Sequence, residues 1–148
     1  MEKLIREAGG FLLGRRTYEG FAGYWPNAPE ATQAFAEPMN TKPKHVASRT
    51  LTGTLEWQNS TVLPGALPEA VAALKKQDGA YLLVIGRTVL VQSLIQHGLV
   101  DEFRLMIDPV LVGGGKRIFP DDGALRRLRF IDHQVTSTGT IIASYAPD

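Results

Sequence analysis

Twice this chain runs a short apolar segment into glycine and then changes period. The first case is GFLLG, Gly10 to Gly14, followed by RRTYEGF. The second is AYLLVIG, Ala80 to Gly86, followed by RTVLVQSLIQHG. A short apolar run bounded by glycine reads as a buried strand, and residues that return every three or four positions read as one face of a helix. Strands that feed helices in this way pair in parallel, because a parallel partner is reached only by a crossover. The second run is nearly all apolar, as a strand covered on both faces would be.

The remaining segments fit around those two units. MEKLIREA places Leu4, Ile5 and Ala8 on one helical face, and Gly9-Gly10 ends it. Thr17 to Phe21 begins the next helix, and the prolines of YWPNAPEA break it. TQAFAEPMN reads as a short helical piece ended by Pro38. KHVASRT, Lys44 to Thr50, and Ser60 to Leu63 read as strands. LPEAVAALKKQ is an amphipathic helix with Pro68 in its first turn and Glu69 near the positive end of its dipole. Val89, Leu90, Leu94 and Ile95 mark a further helix closed by Gly98. DEFRLMIDPVLVGGG reads as a long strand running into a glycine turn, and two more strands flank Thr138-Gly139-Thr140 as a hairpin. The fold class expected is α/β, in a single domain over residues 1–148. Its sheet is mixed and mostly parallel, with flanking helices and a C-terminal antiparallel hairpin.

Composition narrows the chemistry. The chain has 148 residues and a hydrophobic fraction of 44%, enough for a real core. Its net charge of +1 suits neither a general nucleic-acid surface nor an anionic membrane, so any anion site is local. With no cysteine, disulfides, thiol catalysis and cysteine zinc sites are excluded. His45, His97 and His133 show no metal-ligand spacing, so no metal is expected. No run approaches a membrane helix and the N-terminus lacks a signal-peptide core, which leads us to expect a cytoplasmic protein. His97 reads as a partner of a helix end. Asp121 and Asp122 read as solvated turn acids, Asp101 and Glu102 as surface, and Trp25 and Trp57 as packing residues.

The two strand-to-helix junctions carry the functional signal. The first turn of a helix offers unpaired N–H groups and a partial positive charge, which together suit a phosphate oxygen. Thr17 and Thr88 add hydroxyl donors, and Arg15, Arg16 and Arg87 add charge. Either junction alone is ordinary, since arginine at a helix start is usually solvated. Two on neighbouring strands suit a pyrophosphate or a dinucleotide. Ser48 and Arg49, at the end of the second strand, are placed to grip a ribose phosphate, and no acid stands there for a free 2′-hydroxyl. That favours NADP over NAD, although a plain polar strand end reads the same way. In VLVGGGKRIFP the glycines permit close backbone approach, and Lys116 and Arg117 are either phosphate donors or solvated turn charges. There is no G-x-G-x-x-G opening a helix, no Walker loop and no G-x-S-x-G elbow. A small nucleic-acid binder using Arg15, Arg16, Arg49, Arg87, Lys116 and Arg117 is a third reading, disfavoured by the even charge.

The segments LLGRRTYEGFAGYWP, VASRTL and LVIGRTVLVQSLIQHGLVDEFRLMIDPVLVGGGKRIF, with the final hairpin, resemble the dihydrofolate-reductase-like family. More narrowly, they are similar to the branch containing the C-terminal reductase domain of the riboflavin-biosynthesis protein RibD. The resemblance covers nearly the whole chain and implies an NADPH-dependent reductase acting on a small pterin-like or pyrimidine heterocycle. A nucleotide-binding module without turnover is the alternative. It implies that Gly14, Arg15, Arg16 and Thr17 hold one part of NADPH. Ser48 and Arg49 then lie near the 2′-phosphate, and Gly86, Arg87, Thr88, Val89 and Leu90 line the pyrophosphate. Gly114 and Gly115 lie near the nicotinamide or at a subunit contact, and a homodimer is expected. Two departures stand out. Relatives usually carry two glycines where this chain has Gly86-Arg87, and they usually begin with a further, central strand that this chain does not show. The family's substrate-side acid often comes from that stretch, so no catalytic residue is carried over. We expect that native N-terminal residues precede the sequence given.

Overall fold

The computed structural model describes residues 2–86 and 88–148. The chain divides into two compact units, Met1–Val91 and Gln92–Asp148.

The first unit is built on a parallel sheet. Helix α1 (Glu2–Glu7) leads into β1 (Gly10–Gly14), and β1 passes directly into α2 (Arg15–Tyr24). Two single 3-10 turns and α3 (Gln33–Thr41) then carry the chain to β2 (Lys44–Ala47). After β3 (Ser60–Val62), α4 (Leu67–Lys75) leads to β4 (Leu82–Ile85). The strand order is β3-β2-β1-β4, and all three pairings are parallel. The glycine-terminated runs, β1 and β4, are therefore nearest neighbours. Phe11, Leu12 and Leu13 are buried on β1, as befits a central strand covered on both faces. Phe11, Leu13, Val46, Ile5, Ala8, Tyr18, Met39 and Trp57 form one packed cluster. Burial of each large apolar side chain there contributes about 1.5–3 kcal/mol.

Two expectations need correction in this unit. Pro38 does not end the helical piece: α3 runs through it to Thr41, with Pro38 buried inside. The last turn is held from outside the helix, because the buried Lys44 Nζ donates to the carbonyls of Met39 (2.9 Å), Asn40 (3.1 Å) and Lys42 (2.9 Å). Carbonyls that lack partners within the helix are thus satisfied by a strand lysine. The second correction concerns β4, whose residues are only half-buried, whereas β1 is the fully buried strand. On its other side β4 has no strand partner among the described residues.

The second unit contains most of helix α5 (Thr88–Gln96) and an antiparallel sheet of β5 (Phe103–Ile107), β6 (Leu128–Val135) and β7 (Ile141–Pro147) in the order β5-β7-β6. The hairpin about Gly139 is present as expected, with Gly139 at φ 85°. β5 is shorter than the sequence suggests and stops at Ile107. Asp108 Oδ1 accepts from the Thr140 hydroxyl at 2.7 Å, and Pro109 packs against Gly139, so the chain turns there. Proline also lacks the N–H that a continuing ladder requires.

Candidate functional site: the paired exits of β1 and β4

The register of the parallel sheet brings the two junctions together. Leu13 lies opposite Ile85, and Gly14 lies opposite Ala47 of β2. Gly14 and Gly86 therefore sit side by side, and Ser48 follows one residue beyond Ala47, where three parallel strands leave the sheet. The distances agree. A Cβ on Gly86 would lie 3.2 Å from Thr17 Oγ1 and 3.8 Å from the Gly14 nitrogen. A Cβ on Gly14 would lie 3.9 Å from Leu90 Cβ on α5. Each junction packs against the other's helix.

What the arrangement offers is donors. Gly14 is the N-cap residue of α2, with extended backbone and no side-chain cap, so the first-turn amides of α2 are not satisfied by a capping oxygen. Thr17 Oγ1 has no hydrogen-bond partner among the described residues and faces Gly86. Arg15 is exposed and lies 3.7 Å from Glu19, a weak surface pair, and Arg16 is exposed as well. Thr88 opens α5, with Val89 exposed and Leu90 buried behind it. Arg87 lies outside the described residues. Ser48 proves to be partly committed: its Oγ accepts from the amides of Thr50 (3.2 Å) and Leu51 (3.0 Å) and shapes the turn after β2. Arg49 projects from that turn, exposed. Gly114 and Gly115 belong to the loop after β5 in the second unit, where Gly115 has φ 149°.

Two further residues, Tyr18 and Lys44, stiffen this edge. The Tyr18 hydroxyl, one residue beyond Thr17, accepts from the Trp57 amide at 3.3 Å. Trp57 in turn donates from Nε1 to Asn40 Oδ1 at 2.8 Å and lies under the Lys44 ammonium, 4.4 Å from its ring centre. Burial pulls the Lys44 ammonium down to about 8. Trp57 is thus a packing residue, as expected, whereas Tyr18 and Lys44 carry no sequence signal that separates them from ordinary helix and strand residues. Away from the site, His97 Nδ1 lies 2.8 Å from the Ser93 carbonyl near the end of α5, in keeping with its reading as a helix-end partner. Asp122 is more than a solvated acid. It pairs with Arg126 through both carboxylate oxygens and accepts from the Ala124 amide, and the Arg126 hydrogen bond holds its carboxyl well below the usual range.

A parallel sheet with two adjacent strand exits, each opening a helix beside a bare glycine, defines an α/β domain suited to binding an extended anion along one sheet edge. Comparison with known proteins identifies the lineage: the chain belongs to the RibD C-terminal domain family, whose profile matches residues 1–142. Uncharacterized protein YyaP of Bacillus subtilis (strain 168) is 31% identical over 137 residues, covering 90% of this chain and 71% of that protein. A candidate riboflavin biosynthesis protein from Shewanella sp. PV-4 superposes with a TM-score of 0.76 at 22% identity, over 99% of this chain and 77% of that one. A pyrimidine reductase-like protein from Corynebacterium diphtheriae gives a TM-score of 0.68 at 14% identity, covering 98% and 79%. RibD of Acinetobacter baumannii gives 0.68 at 17% identity, and the chain spans half of its length. These likenesses establish the mixed α/β dihydrofolate-reductase-like fold. No helix among the described residues is long and apolar enough to cross a membrane.

Proposed function

We propose that this chain is an NADPH-dependent reductase that delivers hydride to a small heterocycle, of the pyrimidine or pterin kind. The observation that carries the proposal is the adjacency of Gly86, Thr17 and Gly14 at the exits of β1 and β4. A diphosphate bridge needs several donors within a few ångströms, on a surface that backbone can approach closely. The first turns of α2 and α5, with the Thr17 and Thr88 hydroxyls, supply that set. Membership of the RibD C-terminal domain family and the likeness to a pyrimidine reductase-like protein support the same reading.

In this assignment Gly14, Arg15, Arg16 and Thr17 take one side of the diphosphate, and Gly86, Arg87, Thr88, Val89 and Leu90 take the other. Ser48 shapes its turn, and Arg49 supplies the positive charge for the 2′-phosphate. The reduced nicotinamide supplies the hydride; the protein's task is to bind, orient and enclose. A titration followed by nucleotide fluorescence tests the assignment. Binding of NADPH with a clear preference over NADH is expected, and absence of binding at about millimolar concentration, the weak end of the affinity scale, removes it. Turnover across a panel of pyrimidines and pterins then separates a reductase from a binding module of the same fold.

A further inference from the structure

We propose that a cavity at the far end of the parallel sheet is a second ligand site, suited to a small planar cation of the amidinium or guanidinium class. Its walls are Pro26, which follows α2, Asn40, near the end of α3, and Glu56, Trp57 and Gln58, ahead of β3; its volume is about 330 Å³. Sites for small organic ligands begin near that size, at roughly 300 Å³. The cavity is remote from the exits of β1 and β4. α2 starts at one of those exits and runs ten residues, about 15 Å, before the chain reaches Pro26. Asn40 and Gln58 lie just ahead of β2 and β3, where those strands enter the sheet rather than where they leave it. All five residues belong to the first unit.

The walls are fixed before any ligand arrives. Asn40 commits both ends of its amide, donating from Nδ2 to the Trp25 carbonyl at 2.9 Å and accepting from Trp57 Nε1 at 2.8 Å. The Trp57 backbone amide donates to the Tyr18 hydroxyl at 3.3 Å, and Trp57 is only 3% exposed. A site held in this way costs a ligand little in ordering. The free polar groups are at the rim. Glu56 and Gln58 are exposed, and neither side chain has a hydrogen-bond or ion-pair partner among the described residues. Glu56 is the one charged residue of the lining. Lys44, on the Trp57 ring, is buried with its Nζ on three carbonyls, so it does not serve as that partner. A carboxylate with both oxygens open pairs best with a planar cation that presents two parallel N–H groups, because both bonds form at once. A compact ammonium meets it as a point charge and holds its water more strongly. An anion would meet Glu56 as a like charge. The Gln58 amide oxygen can accept a further N–H, and Pro26 and Trp57 give a flat ligand apolar contact.

The test is a titration of the full chain with benzamidine, followed by proton–nitrogen NMR at the Trp57 indole and the Gln58 amide. Benzamide, a neutral molecule of the same shape, and benzylamine, which carries a compact ammonium, are the controls. Benzamidine is expected to move both signals and to bind at least about tenfold more tightly than benzamide, with benzylamine weaker than benzamidine. E56Q keeps the size of an exposed side chain and removes its charge, so it should fold as the wild type does, which circular dichroism checks. It is expected to bind benzamidine at least about tenfold more weakly. No nucleotide enters the titration, so its outcome is independent of the cofactor assignment. Trp57 and Gln58 signals that stay in place at about 10 mM benzamidine, beyond the millimolar end of the affinity scale, would overturn the proposal. So would benzamide or benzylamine binding as tightly as benzamidine, or a folded E56Q that binds benzamidine as the wild type does.

Discussion

Placing a methyl group on Gly86 is the sharpest perturbation the site allows. The substitution G86A asks little of the backbone, because Gly86 is not among the glycines at positive φ. The added Cβ would lie 3.2 Å from Thr17 Oγ1 and 3.8 Å from the Gly14 nitrogen. The threonine hydroxyl must retreat by a few tenths of an ångström, a local adjustment at the exposed rim of the sheet, and the expected stability cost is about 1 kcal/mol or less. Binding should suffer far more. In the proposed assignment the methyl occupies the space through which the diphosphate oxygen reaches the amides of both junctions. Loss of two charge-assisted hydrogen bonds, each worth about 1.5–3 kcal/mol, outweighs the small strain. We therefore expect NADPH affinity to fall by about 3 kcal/mol, which is roughly 150-fold. Fluorescence titration measures the affinity, and a thermal melt of the same sample reports stability. A G86A protein that melts normally and binds NADPH within about threefold of wild type would refute the placement of the diphosphate between the exits of β1 and β4.

Three further outcomes follow from particular contacts. T88V removes one hydroxyl donor and should weaken NADPH by about 1 kcal/mol, close to fivefold, with the melting temperature unchanged. R49A should narrow the preference for NADPH over NADH; equal losses for both nucleotides would mean that Arg49 does not read the 2′-phosphate. K44M strands the carbonyls of Met39, Asn40 and Lys42, and at about 1 kcal/mol each should lower the melting temperature by roughly 10 °C. Lys44 also leaves a signature in pH. Its native ammonium releases the proton near 8, against 10.5 for the ordinary side chain. Across that window the unfolded chain holds more protons, so this group makes stability rise with pH between about 8 and 10.5. The K44M melt should lack that rise, and identical pH profiles for the two proteins would contradict the burial of a charged lysine.

Much of this architecture could be read from residues whose signals are local. Gly14 and Gly86 end apolar runs and precede helical spacing, and both junctions form where that pattern changes. The parallel pairing of β1 with β4 follows from the helices between strands, and it supplies the adjacency on which the site depends. The misses are tertiary in origin. Pro38 looks like a stop, yet α3 continues because Lys44, on the next strand, caps its last turn. A lysine at the start of a strand normally reads as solvated, and only the fold shows it buried among carbonyls. LLVI looks more deeply buried than it is, since exposure depends on neighbours rather than on composition. The end of β5 at Ile107 depends on Asp108 meeting Thr140 across more than thirty residues, a contact no window of sequence reveals.

Crystals of the protein soaked with NADPH test the central claim most directly. The account predicts diphosphate density at the shared exit of β1 and β4, within hydrogen-bonding distance of Thr17 Oγ1 and of the first-turn amides of α2 and α5. Nucleotide bound at any other edge of the sheet, with that exit empty, would contradict it.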